Sequence, residues 1–370
     1  MRRAAIVLLS AVLAFPGAAS GKDAAAAAVS EVPARTALAA PPRVAVGPDE
    51  RVYVALPHAD GIDVVVGKAD AQGLVTFGQP VRAVVRDDLM AGGRRGARIA
   101  VRRDAIVVAA ITRRTNAGGG DLLAWRSPDG GTSWSEPVRV GDAAGCAAEG
   151  LFDLTALADG RFVAVWLDVR QKGTRLLADF SDDGAKWAED AVAYTSPDGS
   201  ICECCHPAVA PCPDGGTAVA WRNSIGGARD IWVARAPKGS PEFGKGAKCG
   251  TGAWRMPACP MAGPALVIKG TEAVTAWRRE RDVFLAAGDA KEREVGAGTE
   301  PQLALGAAGL HTLWVAREGL VDLAPGAASQ SLIAAGAEFP CATGAVSGRG
   351  PAFVTWFDTA SRRARIAALR

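Results

Sequence analysis

Beyond its first 20 residues the chain has no run approaching the ~18 uninterrupted apolar residues of a membrane helix. It also has no block of basic residues, and hardly any long apolar pattern at helical spacing. The first absence argues against a membrane-embedded protein. The second argues against a nucleic-acid partner or a basic helix on a membrane surface. Charge is close to balance, with 42 Lys and Arg against 39 Asp and Glu. What abounds is glycine, 44 residues, and proline, 22, which point to many short strands and turns.

The N-terminus reads "MRRAAIVLLSAVLAFPGAASG". Arg2 and Arg3 precede an apolar stretch, Ile6–Phe15, and the small residues Ala18, Ala19 and Ser20. The pattern predicts a signal peptide over 1–20 and a secreted or periplasmic product. No cysteine follows the expected cut, so no lipid anchor is expected. An alanine-rich segment covers 21–40, and 41–370 reads as one domain.

That domain repeats. A short apolar strand, a turn and a second apolar strand recur, as in "RVAVGPDERVYVAL", "DLTALADGRFVAVW" and "AVAPCPDGGTAVAW". The second strands end at Leu56, Ala110, Trp166, Trp221, Trp277, Trp314 and Trp356, at intervals of 54, 56, 55, 56, 37 and 42 residues. Third and fourth strands follow in most units. Four antiparallel strands at this interval predict an all-β, seven-bladed β-propeller, with six blades as the alternative. The last unit has only "ARIAAL" after its second strand, so Val29–Ala40 is expected to supply its fourth strand and close the ring.

"SPDGGTSW" at Ser127–Trp134 fits the pattern Ser-x-Asp-x-Gly-x-Ser-Trp, and "SDDGAKW" at Ser181–Trp187 is a shortened copy. On these motifs the chain resembles the sialidase-like Asp-box (BNR repeat) propellers over nearly all of residues 41–370. The resemblance implies that the boxes are structural and lie on the face opposite the active site. It also implies an arginine triad gripping a carboxylate, a Tyr nucleophile helped by Glu, and an Asp acid/base. The chain's two tyrosines, Tyr53 and Tyr194, lie outside the late blades where that nucleophile belongs, and "ARIA" around Arg98 only echoes the family's Phe-Arg-Ile-Pro. An exo-α-sialidase-like glycoside hydrolase is therefore the alternative function, with Asp168 as acid/base and Arg98, Arg170, Arg222 and Arg278 as clamps.

In a propeller, the loops entering first strands share a face with the loops leaving second strands. Sorted this way, most cysteines and loop arginines crowd one axial face, where propellers usually bind ligands. Arg98, Arg170, Arg222, Arg229 and Arg278 would suit a small acidic ligand or a glycan, because a guanidinium presents a planar fork to a carboxylate.

The densest feature is "ICECCHPAVAP" at Ile201–Pro211. Cys202-x-x-Cys205-His206 has the spacing of a covalent haem attachment, but Pro207 and a strand follow directly and leave no helix to pack under a ring. Two readings stay open. Cys202, Cys204, Cys205, His206 and Cys259 form a soft ligand set for copper first and zinc second, with Met256 and Met261 flanking. Alternatively the cysteines form disulfides, as exported chains usually do, and staple a scaffold for a protein partner. Cys202 or Cys204 would then join Cys146, Cys205 would join Cys259, and Cys341 would pair across the opening or stay free. Cys212 and Cys249 are expected to pair within one blade. The main reading is an exported binding protein for a soft metal or a small acidic ligand.

Overall fold

A computed structural model describes residues 27–116, 118–344, 348 and 350–370. The expected signal peptide, 1–20, lies outside the described residues. Every regular element is a β-strand, and the strands form seven antiparallel sheets. The first strands are Arg43–Val46, Arg98–Arg102, Phe152–Ala156, Ala208–Pro211, Ala265–Lys269, Thr299–Gly306 and Ala337–Gly344, opening blades one to seven. Each lies against the first strand of the next blade, and the seventh lies against the first, so the ring is closed. The chain is thus a seven-bladed β-propeller of four-stranded blades. In blade one the fourth position is split between Val75–Phe77 and Val81–Val85, which both pair with Gly61–Ala69.

Blade seven is completed as the repeat count requires. Val29–Glu31 pairs antiparallel with Arg363–Leu369, placing Val29 opposite Ala367 and Glu31 opposite Arg365. The buried Ser30 Oγ also accepts the Val75 N–H at 2.8 Å, tying the closing strand to blade one.

The core is a series of clusters between neighbouring blades. Phe152, Phe162 and Trp166 of blade three pack on Val107, Ala109 and Ile111 of blade two. Trp221 and Val219 of blade four pack on Val163, Val165 and Leu167 of blade three. Second strands are buried on both sides, so they read as nearly continuous apolar runs; Phe162–Asp168 is buried throughout. The tryptophans that end them, Trp166, Trp221, Trp314 and Trp356, are fully buried. Truncating such a side chain to alanine typically costs about 3–5 kcal/mol.

The Asp box folds as its residues dictate. Asp129 Oδ1 accepts the Thr132 and Ser133 N–H groups at 3.1 and 2.9 Å, and Ser127 Oγ accepts the Gly131 N–H at 2.9 Å. The hydrogen bonds from Ser133 hold the Asp129 carboxyl down at about 2. The shortened copy repeats this with Ser181 and Asp183, whose Oδ1 accepts the Ala185 and Lys186 N–H groups, both at 2.8 Å. Both turns join third to fourth strands, on the face opposite the cysteine-bearing loops.

Candidate functional site

The loop 201–207 crosses from blade three to blade four. Its start is pinned by main chain: the Ile201 N–H donates to Thr174 O and the Cys202 N–H to Arg222 O, both at 3.0 Å. The turn that follows gathers three buried sulfur atoms. Cys202 Sγ lies 3.5 Å from Cys204 Sγ and 3.6 Å from Cys205 Sγ, and those two lie 3.9 Å apart. Glu203, between them in sequence, is exposed. Arg229 Nη1 donates to Cys202 Sγ at 3.3 Å. The Cys202 thiol is held below its usual range, first by its contacts with the Cys204 and Cys205 sulfurs, with Arg229 adding its charge. Those two partners are pushed up in turn, first by their contacts with Cys202.

Arg222 lies beneath this loop. Its side chain is 1% exposed, and it donates to three main-chain carbonyls: Ala262 at 3.0 Å, Arg229 at 2.6 Å and Arg278 at 3.0 Å. Its guanidinium stands 5.2 Å over the Trp254 ring, close enough to Cys205 and Cys202 for their charge to act on it. No carboxylate among the described residues is within ion-pair distance of Arg222 or Arg229. Asp230, the nearest acid to act on Arg222, is bonded to Lys248 at 2.9 Å and to the Trp254 N–H at 2.9 Å.

Other expected ligands fall elsewhere. His206 turns from the sulfur trio into the central channel. Its Nδ1 is 3.3 Å from Pro207 O, and a Cβ on Gly263 would come within 2.6 Å of that nitrogen. Burial, with Arg98, Arg43 and Arg94 nearby, pushes the imidazole down to about 3, so it stays neutral. Exposed Cys259 reaches Cys204 but stands outside the trio, and Met261 is exposed.

All eight cysteines are free. The expected Cys212–Cys249 bridge is corrected by strand register. Cys212 pairs with Gly216 beside Thr217, where the second strand of blade four begins, whereas Cys249 pairs with Ile231, opposite Arg222 at that strand's end. They occupy opposite ends of the sheet, beyond the ~7 Å Cα separation a disulfide spans. Cys146 is buried beside Trp166 in the core between blades two and three, where burial raises its thiol to about 11.

The expected arginines do not converge. Arg170 is bonded to Asp168 at 2.5 Å and to Asp190 at 2.6 Å within blade three. Asp168 is fully buried and also faces Arg175 at 3.7 Å, so it is closed to a substrate as acid/base. Arg278 stands 5.9 Å over Trp254 on the side loop. Of the five, only Arg98 lines the channel, a cavity of about 410 Å³ along the axis.

At that channel's mouth the expected Arg98 meets Arg94, Asp153 and Arg43, which the loop reasoning did not single out. Arg94 is ion-paired with Glu300, and Arg98 lies 3.4 Å from Asp153, whose other oxygen accepts the Val209 N–H at 3.0 Å. Burial pushes the Asp153 carboxyl up and the Arg98 guanidinium down. Arg43 is 8% exposed, reaches only Gly93 O at 3.3 Å, and leaves its Nε without a partner. A signal for it was present: Arg43 opens "RVAV" as Arg98 opens "RIAV" in the next repeat.

No protein-family model and no curated protein matches the sequence. Among solved structures, the chain is similar to virginiamycin B lyase from Staphylococcus aureus, at 12% identity over 92% of this chain and 99% of that one, with a TM-score of 0.53. It is also similar to the GH93 α-L-arabinofuranosidase of Fusarium graminearum in complex with arabinobiose, at 14% identity over 78% and 92%, with a TM-score of 0.50. NanB sialidase from Streptococcus pneumoniae matches at 11% identity over 95% of this chain and 70% of that one, with a TM-score of 0.45. At these identities the likeness is one of fold: a propeller shared with glycoside hydrolases and lyases of separate chemistries.

Proposed function

We propose that the protein is an exported metal-binding propeller, in which Cys202, Cys204 and Cys205 take a soft ion, copper before zinc. The observation that carries this is the convergence of three buried sulfur atoms within 3.9 Å of one another, with a guanidinium donating to one of them. Thiolates select soft metals, and a buried loop pinned by main-chain bonds spares the ion much of the cost of ordering its ligands. His206, which faces the channel, is left out of this ligand set. Protein purified without oxygen is expected to hold one equivalent of copper or zinc, lost in Cys204→Ser. Elemental analysis with a thiol count checks this, and eight oxidised thiols in native protein would overturn it.

A second reading is favoured by Arg43, a buried guanidinium at the channel mouth with no carboxylate partner among the described residues. A small acidic ligand, an acidic sugar included, would supply the missing charge there. A glycosidase acting in the channel would draw on Asp153 and Glu300, since Asp168 is closed off. Titration calorimetry with N-acetylneuraminic acid is expected to give binding weakened at least tenfold in Arg43→Gln. No heat with the wild-type protein removes this reading.

A further inference from the structure

Arg222 presents a problem that hydrogen bonding alone does not solve. A guanidinium cannot shed its charge, and a buried charge without a counter-ion is strongly disfavoured. Three main-chain carbonyls satisfy its donors but supply no compensating charge. Asp230 is already engaged by Lys248, and Glu203 faces solvent. The remaining groups beside it that can carry negative charge are the sulfur atoms of Cys202 and Cys205. Arg229, half-buried, is bonded to Cys202 with no carboxylate in contact among the described residues. Two guanidinium charges therefore face one three-sulfur cluster.

Resting on the metal-binding reading above, we infer that Arg222 and Arg229 set the charge of the metal complex, and so make the trio a site for a monovalent ion, Cu(I), bound by three thiolates. Binding releases the protons still held by the thiols to solvent, with no change of oxidation state. Three thiolates and one Cu(I) carry a net charge of −2, which the two guanidiniums neutralise. The same thiolates with Zn(II) carry −1, which leaves one buried guanidinium uncompensated. Zinc reaches −2 only by taking a fourth anionic ligand, a thiolate or a hydroxide. The exposed Cys259 beside Cys204 is the thiolate within reach, and drawing it in would require its loop to move. Arg222 is a positioning and charge-setting residue here; it does not ligate the metal.

The test is a comparison of two metals in one set of proteins, reduced and free of oxygen. Cu(I) affinity is read by competition with a chromogenic Cu(I) chelator, and Zn(II) affinity by competition with a chromogenic zinc chelator. Both are measured in the Cys259→Ser background, so that zinc cannot gain its fourth sulfur. Arg222→Met and Arg229→Gln are each expected to lower the ratio of Cu(I) to Zn(II) affinity by about tenfold or more, since each removes one positive charge from beside a centre that differs by one unit between the metals. Arg222→Lys, which keeps the charge but not the three-carbonyl fit, is expected to restore most of the ratio. Arg229 is only half-buried, so its variant keeps the test available if Arg222→Met does not fold. A purely structural role would weaken both metals together and leave the ratio unchanged, and that result overturns the inference. Failure of the parent protein to bind either metal removes the underlying reading instead.

Discussion

Asp179 stands on the third strand of blade three, opposite Ala164, with its side chain fully buried. One carboxyl oxygen accepts the Phe180 N–H at 2.6 Å, and the other has no partner. Burial first, then the charges of Asp190 and Asp142, pushes the carboxyl up to about 8. In the unfolded chain the same group titrates near ~3.9. The folded state thus holds this proton more tightly than the unfolded state. Its contribution to stability is complete below the unfolded value and is lost as pH rises through about 8. Asp179→Asn imitates the neutral form and removes that dependence. The wild-type melting temperature is expected to fall relative to the variant's between pH 5 and 9, the wild type losing stability on the order of a few kcal/mol relative to the variant over that range. Melts followed by tryptophan fluorescence at several pH values check this, and a difference that does not change with pH would refute it. Nothing in the local sequence marks Asp179. Its unusual state depends on Asp142 and Asp190 arriving from other segments, as the direction of His206 depends on where the channel opens.

At the scale of the element, the second strands were the most legible part of the sequence. Burial on both sides forces them to be apolar throughout, and the closing tryptophan packs on the preceding blade, so each strand carries its own signal. Asp-box turns are legible for a related reason: Ser127 and Asp129 satisfy main-chain groups only two to four residues away. Fourth strands were harder to read. Val138–Arg139 and Ala247–Lys248 are two residues each on the outer edge, too short to set a period. Because the strand order was readable, so was the face to which the cysteine loop belongs. Which side chains meet on that face was not. Arg222 ends a strand and reads as a loop-facing cation, but the carbonyls of Ala262 and Arg278 close over it from the following chain. Cys212 and Cys249 belong to one blade as expected, yet strand register carries them to opposite ends.

For the molecule as a whole, the decisive contact joins the two ends of the described chain. Without Val29–Glu31, blade seven would stop at Arg363–Leu369 and present an unpaired edge, the feature through which sheets recruit other chains. The closing strand does more than fill that edge. Glu31 bonds Arg363 at 3.0 Å and Arg365 at 3.1 Å, and Ser30 reaches across to blade one. Just beyond it, Arg35 grips the buried Asp63 of blade one with two hydrogen bonds, at 2.9 and 2.7 Å. Arg82 and His58 hold the same carboxylate at 2.7 and 3.1 Å. The surface pairs at Glu31 are worth little individually, but the Asp63 cluster is buried, and breaking such a group costs several kcal/mol. Removing residues 27–35 takes away the strand and the Arg35 grip together. The trimmed protein is expected to melt at a markedly lower temperature and to self-associate through the exposed Arg363–Leu369 edge. Thermal melts and light scattering on size-exclusion fractions would read both effects. A monomeric trimmed protein with an unchanged melting temperature would mean that the contacts between inner strands alone keep the ring shut.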